Sequence, residues 1–204
     1  MSVLAASGRA GRLRLLRQLA TADRASELLD RKQRILAGEL QRLELLAGRT
    51  GEDWERSARQ AATWLRRSAA LDGQRGLAAA TPCGLAGVRI QFSRTMGVRY
   101  PAHAAVTYPE EPVRAGSSAL VFATQAHRRA LDAATRHAAA TRAVASLTQE
   151  LMHTRARQRA IENRLVPRLT EALRSLEARR DEFDREENLR LQWAAHRTVG
   201  GERS

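Results

Sequence analysis

The stretch GRLRLLRQLATADRASELLDRKQRILAGELQRLELLA, residues 11–47, decides the fold class. Within it Leu15, Leu19, Ala22, Leu29, Leu36, Leu40, Leu43 and Ala47 fall on alternating four- and three-residue steps, and only Ser26 and Gln33 interrupt the series. Residues at this spacing line one helix face, and a sustained 3.5-residue repeat predicts a left-handed coiled coil. The two polar interruptions read either as register markers or as tolerated defects of the seam. Downstream, Gly48 and Gly51 in GRTGEDW either break the helix or weaken it, and Trp54, Ala61, Trp64 and Leu71 resume a helical face.

The centre of the chain differs in character. Pro82, Gly84, Gly87, Gly97, Pro101, Pro109, Pro112 and Gly116 cluster there. In VRIQFSR, residues 88–94, Val88, Ile90 and Phe92 alternate with Arg89, Gln91 and Ser93, the period-two mark of a half-buried strand. Gly97 followed by Val98, Arg99 and Tyr100 predicts a turn into a second strand. A hairpin of this size is marginal alone and needs a surface to pack on.

Helix returns near Ala119. Leu147, Leu151, Thr154, Gln158, Ile161 and Leu165 keep the four-three rhythm, and then Leu169, Ala172, Leu176 and Phe183 continue it after a second step of four. Two fours in succession form a stutter, which locally unwinds a left-handed supercoil. Pro167 lies inside it. Proline has no N–H to reach the carbonyl of Asn163, and its ring crowds the preceding turn. It therefore predicts either a bend where the seam changes phase or the first turn of a new helix. On the first reading, Pro167→Ala is expected to straighten the helix.

The expected fold is mainly α: a long antiparallel two-helix coiled coil with a small central β-hairpin. The organisation is residues 1–72 as the N-terminal helix, 73–118 as the central module and 119–204 as the C-terminal helix with a basic tail. Composition agrees: of 204 residues, aromatic groups make up only 4% and charged residues 28%, as in extended helices zipped by Leu and Ala. The formal net charge of +13 favours an anionic partner. Acids nevertheless interleave with arginines, as in EARRDEFDREENLR, the pattern of a solvated helix laced with ion pairs.

Chemistry-bearing motifs are missing. A single cysteine, Cys83, rules out an internal disulfide framework or a Cys-based zinc cluster. His103, His127, His137, His153 and His196 are scattered, and GRAGR and GLAG lack the spacing of a phosphate loop. The acids Asp181, Glu182, Asp184, Glu186 and Glu187 stand among arginines on one helix. No catalytic, cofactor or metal site is expected. The N-terminus lacks the apolar run of a signal peptide, and no stretch reaches the roughly 18 apolar residues of a membrane span, so the chain reads as soluble or peripheral.

Three stretches together resemble the D subunit of the rotary V-type/A-type ATPase (ATP synthase) family. The first is residues 11–36, where Leu28, Leu29, Lys32 and Leu36 match a Leu-Leu-x-x-Lys-x-x-x-Leu pattern and Lys32 is the only lysine in the chain. The second is TMGVRYP, residues 95–101, with Met96, Gly97, Val98 and Pro101 matching Met-Gly-Val-x-x-Pro. The third is RARQRAIENRLVPRL, residues 155–169, where Ala160, Ile161, Glu162, Val166, Pro167, Arg168 and Leu169 match. Asp30 stands where the family usually carries a basic residue, and Gln158 and Arg159 replace a Val-Asn pair. The resemblance implies a non-catalytic rotor shaft that carries torque between the catalytic A and B subunits and ion transport in the membrane ring. It implies partnership with the small F subunit and with the stalk subunit that caps the membrane ring, at the cytoplasmic face of the membrane. It also marks Lys32, Met96, Gly97, Val98, Glu162, Pro167 and Arg168 as motif residues for a bend or for ring contacts. The competing reading is a basic coiled coil that binds nucleic acid. The interleaved acids and the scarcity of aromatic stacking positions oppose it.

Overall fold

The computed structural model describes residues 8–81, 84–109 and 116–201, with side chains to residue 194. Pro82, Cys83, Pro112 and the side chain of His196 lie outside the described residues. The order is helix α1 (Gly8–Ala80), strands β1 (Gly87–Thr95) and β2 (Val98–Thr107), helix α2 (Ser118–Ala160), a π-helical turn (Ile161–Leu165) and helix α3 (Val166–Gly201). The protein is thus mainly α, with long N- and C-terminal helices and one small antiparallel hairpin between them. Helix α1 passes through Gly48 and Gly51 and breaks instead at Gly73, whose φ of 65° only glycine adopts readily. Helical residues extend to Ala80, beyond the expected end of the first segment.

The described residues fall into two compact units, one of residues 8–31 with 154–201 and one within residues 32–153. In the second unit α1 and α2 pack antiparallel: Lys32 meets Glu150, Thr50 meets His137, Trp64 stacks on Phe122, and Asp72 meets Ser117. Its core joins Leu36, Leu43, Ala143, Leu147 and Leu151 with Tyr100 of the hairpin. Leu36, Leu43 and Leu147 are fully buried, and each such side chain contributes about 1.5–3 kcal/mol by leaving water. Toward Ser118 the α2 seam is mostly alanine: Ala119, Ala123, Ala126, Ala133 and Ala140 are buried, with Leu120 beside them. On α1 the face after Gly51 keeps Ala61 and Ser68 buried, but Leu71, expected on it, is 70% exposed just before the break.

The hairpin turns at Met96 and Gly97, both with positive φ, so the two-residue loop matches the right-handed twist of its strands. Gln91 pairs with His103 and Phe92 with Pro101, which leaves Ala102 as an extra residue in β2. A bulge there accommodates Pro101, which has no N–H for the ladder. The expected half-buried alternation of β1 is not found. Val88, Ile90 and Phe92 are each about half exposed, and the buried hairpin residues, Tyr100, Pro101 and Ala104, all lie on β2. β2 is the inner strand and β1 the outer.

In the first unit, residues 8–31 of α1 pack antiparallel to residues 154–177, and the described side chains beyond them are exposed. Arg12 meets Glu177, Ser26 meets Glu162, and Leu15 packs with Leu169 and Leu176, flanked by Leu19, Ala172 and Leu173. Leu29 and Ile161 are partly buried. Leu165, expected in the seam, is 44% exposed, and Val166 turns inward in its place. The reason is the π-helical turn. The Val166 N–H bonds the carbonyl of Ile161, five residues back, which inserts one residue into the helix. With that insertion the inward series runs Thr154, Gln158, Ile161, Val166, Leu169, Leu173 and Leu176, and the four-three rhythm resumes. The phase change read as a stutter is therefore a single skipped residue. Pro167 follows it directly: the helix neither ends nor restarts there, and the widened turn takes up the crowding between the proline ring and the Asn163 carbonyl. Phe183 is also outside the seam, at 59% exposed, because Glu177 already lies opposite Arg12 in the first turns of α1.

Candidate functional site

Two of the three motif stretches meet in the second unit. Lys32 of α1 and Met96, Gly97 and Val98 of the hairpin line an open cleft of about 280 Å³ with Ser146, Gln149, Glu150 and His153 of α2. The cleft exists because Tyr100 anchors the hairpin. The buried Tyr100 hydroxyl donates to Glu39 Oε1 at 2.7 Å and lies 3.2 Å from Thr95 Oγ1. Arg42 grips the same carboxylate through Nε at 3.0 Å and Nη2 at 2.6 Å. The Arg42 hydrogen bond is the main reason the Glu39 carboxyl stays below its ordinary range; burial works against it, and the Tyr100 bond adds to it. Val98 then packs on the same core, which sets the Met96–Gly97 turn beside α2. Lys32 Nζ donates to Glu150 Oε1 at 2.5 Å, with both side chains about three-quarters buried. The only lysine of the chain is therefore half of a cross-helix ion pair at the floor of a hairpin cleft.

The third stretch lies in the first unit. Glu162, inside the π-helical turn, accepts from Ser26 Oγ at 2.7 Å and from Gln158 Nε2 at 2.8 Å. The Ser26 bond, then the Gln158 bond, hold its carboxyl below the usual range, while Asp30 pushes the other way. Pro167 and Arg168 are exposed beside this turn. Arg155, Arg157, Arg159 and Arg164 nearby are exposed as well.

Sequence reasoning missed several positioning residues. Glu39 and Arg42 sit one turn apart on α1, and nothing in their spacing says that a tyrosine more than fifty residues away docks on them. Asp72 accepts from the N–H of Ser117 at 2.9 Å and from its hydroxyl, closing α1 against the start of α2. His137 stacks on Trp54 and fits over Gly51, where a Cβ would lie 3.2 Å from its ring. The alanine seam of α2 was detectable by the rhythm that gave Leu147 and Leu151. Among the described residues no group of His, Cys, Asp and Glu is arranged to hold a metal, and no helix is long and apolar enough to cross a membrane.

The family model for the D subunit of ATP synthase matches residues 12–196. In Anaeromyxobacter sp. (strain Fw109-5), a protein named as the D subunit of a V-type ATP synthase is 33% identical over 193 residues, covering 90% of this chain and 89% of the relative. One of the same name in Anaeromyxobacter dehalogenans (strain 2CP-C) is 31% identical over 197 residues, covering 92% and 93%. The match spans both helical segments, the hairpin and all three motif stretches, and the chain belongs to the family of ATP synthase D subunits.

Proposed function

We propose that the chain is the central rotor shaft of a V/A-type rotary ATPase. In this role it carries torque between ATP synthesis or hydrolysis in the A and B subunits and proton or sodium transport in the membrane ring. It is non-catalytic, sits at the cytoplasmic face as part of a peripheral complex, and contacts the small F subunit and the stalk subunit that caps the membrane ring. The observation that carries this reading is the antiparallel pairing of long helices within each unit. A torque-bearing element has to resist twisting, and a close-packed Leu and Ala seam with cross-helix pairs such as Lys32–Glu150 and Arg12–Glu177 supports that. The exposed arginines around Arg168 suit long-range attraction to a sleeve of opposite charge.

The test is affinity purification of the tagged chain from its own host, with partners identified by mass spectrometry. Recovery of A, B and F subunits at ring-like stoichiometry is expected. Recovery of nucleic acid or ribosomal material alone, persisting after nuclease treatment, overturns the proposal in favour of a basic coiled coil that binds nucleic acid.

A further inference from the structure

We infer that the outer edge of β1 is a docking surface for an extended, acidic strand of a partner protein, which adds to the hairpin as a third strand. Three observations converge on it. The first is an open edge. Every residue from Gly87 to Phe92 is exposed, whereas β2 carries the buried positions. Each strand of a two-stranded pair spends half of its backbone groups on its neighbour, so the other half of β1 points outward. Exposed edges are usually blunted by proline, bulges or charged side chains, lysine above all. Here the proline and the bulge are both on β2, and the only such guards on β1 are Arg89 and Arg94, which repel a like-charged strand but attract an acidic one.

The second observation is an apolar stripe. Val88, Ile90 and Phe92 share one face of β1 and are each about half exposed. The third is charge. Residues 84–109 carry Arg89, Arg94 and Arg99 and no acid, unlike the interleaved helices; the nearest acids that follow, Glu110 and Glu111, lie outside the described residues. The register sets Arg94 directly opposite Arg99, a like-charge pair that weakens a hairpin. Arg99 lies over the Phe92 ring at 3.9 Å, and among the described residues none of the three arginines has an ion pair. An edge free of proline and bulge, an apolar stripe and cations with no ion pair among the described residues together fit an extended segment that alternates apolar and acidic residues.

Other occupants fit less well. A second copy of the chain brings the same arginines to the same edge. A nucleic acid offers anions but no strand, and the one ring of the stripe is already covered by Arg99. The edge is present whether or not the chain turns inside a catalytic ring.

The test uses the isotopically labelled full chain and a designed nine-residue peptide alternating glutamate with valine and isoleucine. Amide exchange along Gly87–Thr95 is read by NMR. In the free chain the outward β1 amides should exchange freely, and the peptide should slow them at least tenfold. Replacing its glutamates by lysine, or N-methylating alternate amides, should weaken binding at least tenfold. Ile90→Thr and Arg94→Glu, each checked for intact helicity, should weaken it comparably. The inference is overturned if β1 amides are already protected in the free chain, or if the peptide fails to bind or binds elsewhere. It is equally overturned if Arg94→Glu binds as tightly as the parent, if an oligothymidylate protects β1 equally well, or if the chain dimerises through β1 without peptide.

Discussion

Glu162 shows how one residue ties the seam to the motif. It sits in the π-helical turn, is solvent-exposed, and is held by Ser26 from α1 and Gln158 from its own helix. Its folded pKa lies below the ordinary 4.5, so its contribution to stability is present above that value and is lost as pH falls through the lowered one. Ser26→Ala removes the main cause, and an NMR titration should find the Glu162 carboxyl moved back toward its ordinary value; an unchanged titration would show that the Ser26 bond does not hold it. Ser26 and Gln158 were legible as anomalies, one a polar interruption of a seam and the other a departure from the family pattern. Their joint purpose was not, because it depends on which residues an antiparallel partner brings opposite. Tyr100 behaves alike. Its strand was readable from the turn at Gly97, but its hydroxyl bond to Glu39 was not. Tyr100→Phe should cost about 1 kcal/mol in chemical denaturation and loosen the hairpin. No change in midpoint would mean that Arg42 alone satisfies Glu39.

At the scale of elements, the helices and the hairpin were readable because hydrophobic period is a local property. Both helical seams and the strand alternation follow from side-chain spacing alone. Burial of the strand was not readable: alternation marks two faces but does not say whether anything covers the apolar one, and Val88, Ile90 and Phe92 stay half exposed. The change of phase near Pro167 was also readable, whereas its form was not. A series with two successive fours is satisfied either by unwinding the supercoil or by skipping a residue, and the second was chosen because it turns Val166 inward and keeps Leu169 and Leu176 buried. The π-helical turn is thus set by the seam on both sides of it, and Pro167 is a residue that tolerates it. Deleting the exposed Asn163 should convert Ile161–Leu165 into regular α-helix with the seam in phase. The melting temperature should stay within about 4 °C of the parent, the equivalent of roughly 1 kcal/mol in a chain of this size. A collapse in stability on deletion would show that the turn itself, rather than the phase, holds the first unit together.

At the scale of the whole molecule, composition carried the class and the motifs carried the family. Few aromatic residues, interleaved charge and the absence of catalytic spacing pointed away from an enzyme core. Lys32, the Met96–Val98 turn and the Glu162–Arg168 stretch carried the resemblance, and relatives about 30% identical over nine-tenths of the chain bear the same family name. What the sequence did not carry is where those residues sit. The fold answers in part: Lys32 and the Met96–Gly97 turn share one cleft, and Glu162 sits inside the π-helical turn. The central claim, that the chain turns within a catalytic ring, is tested most directly by single-molecule rotation. The complex reconstituted with A, B and F subunits is fixed to a surface through its ring, with a bead attached to this chain. Unidirectional, ATP-dependent rotation of the bead is the predicted result. A bead that stays still while the same complexes hydrolyse ATP at full rate would contradict the account.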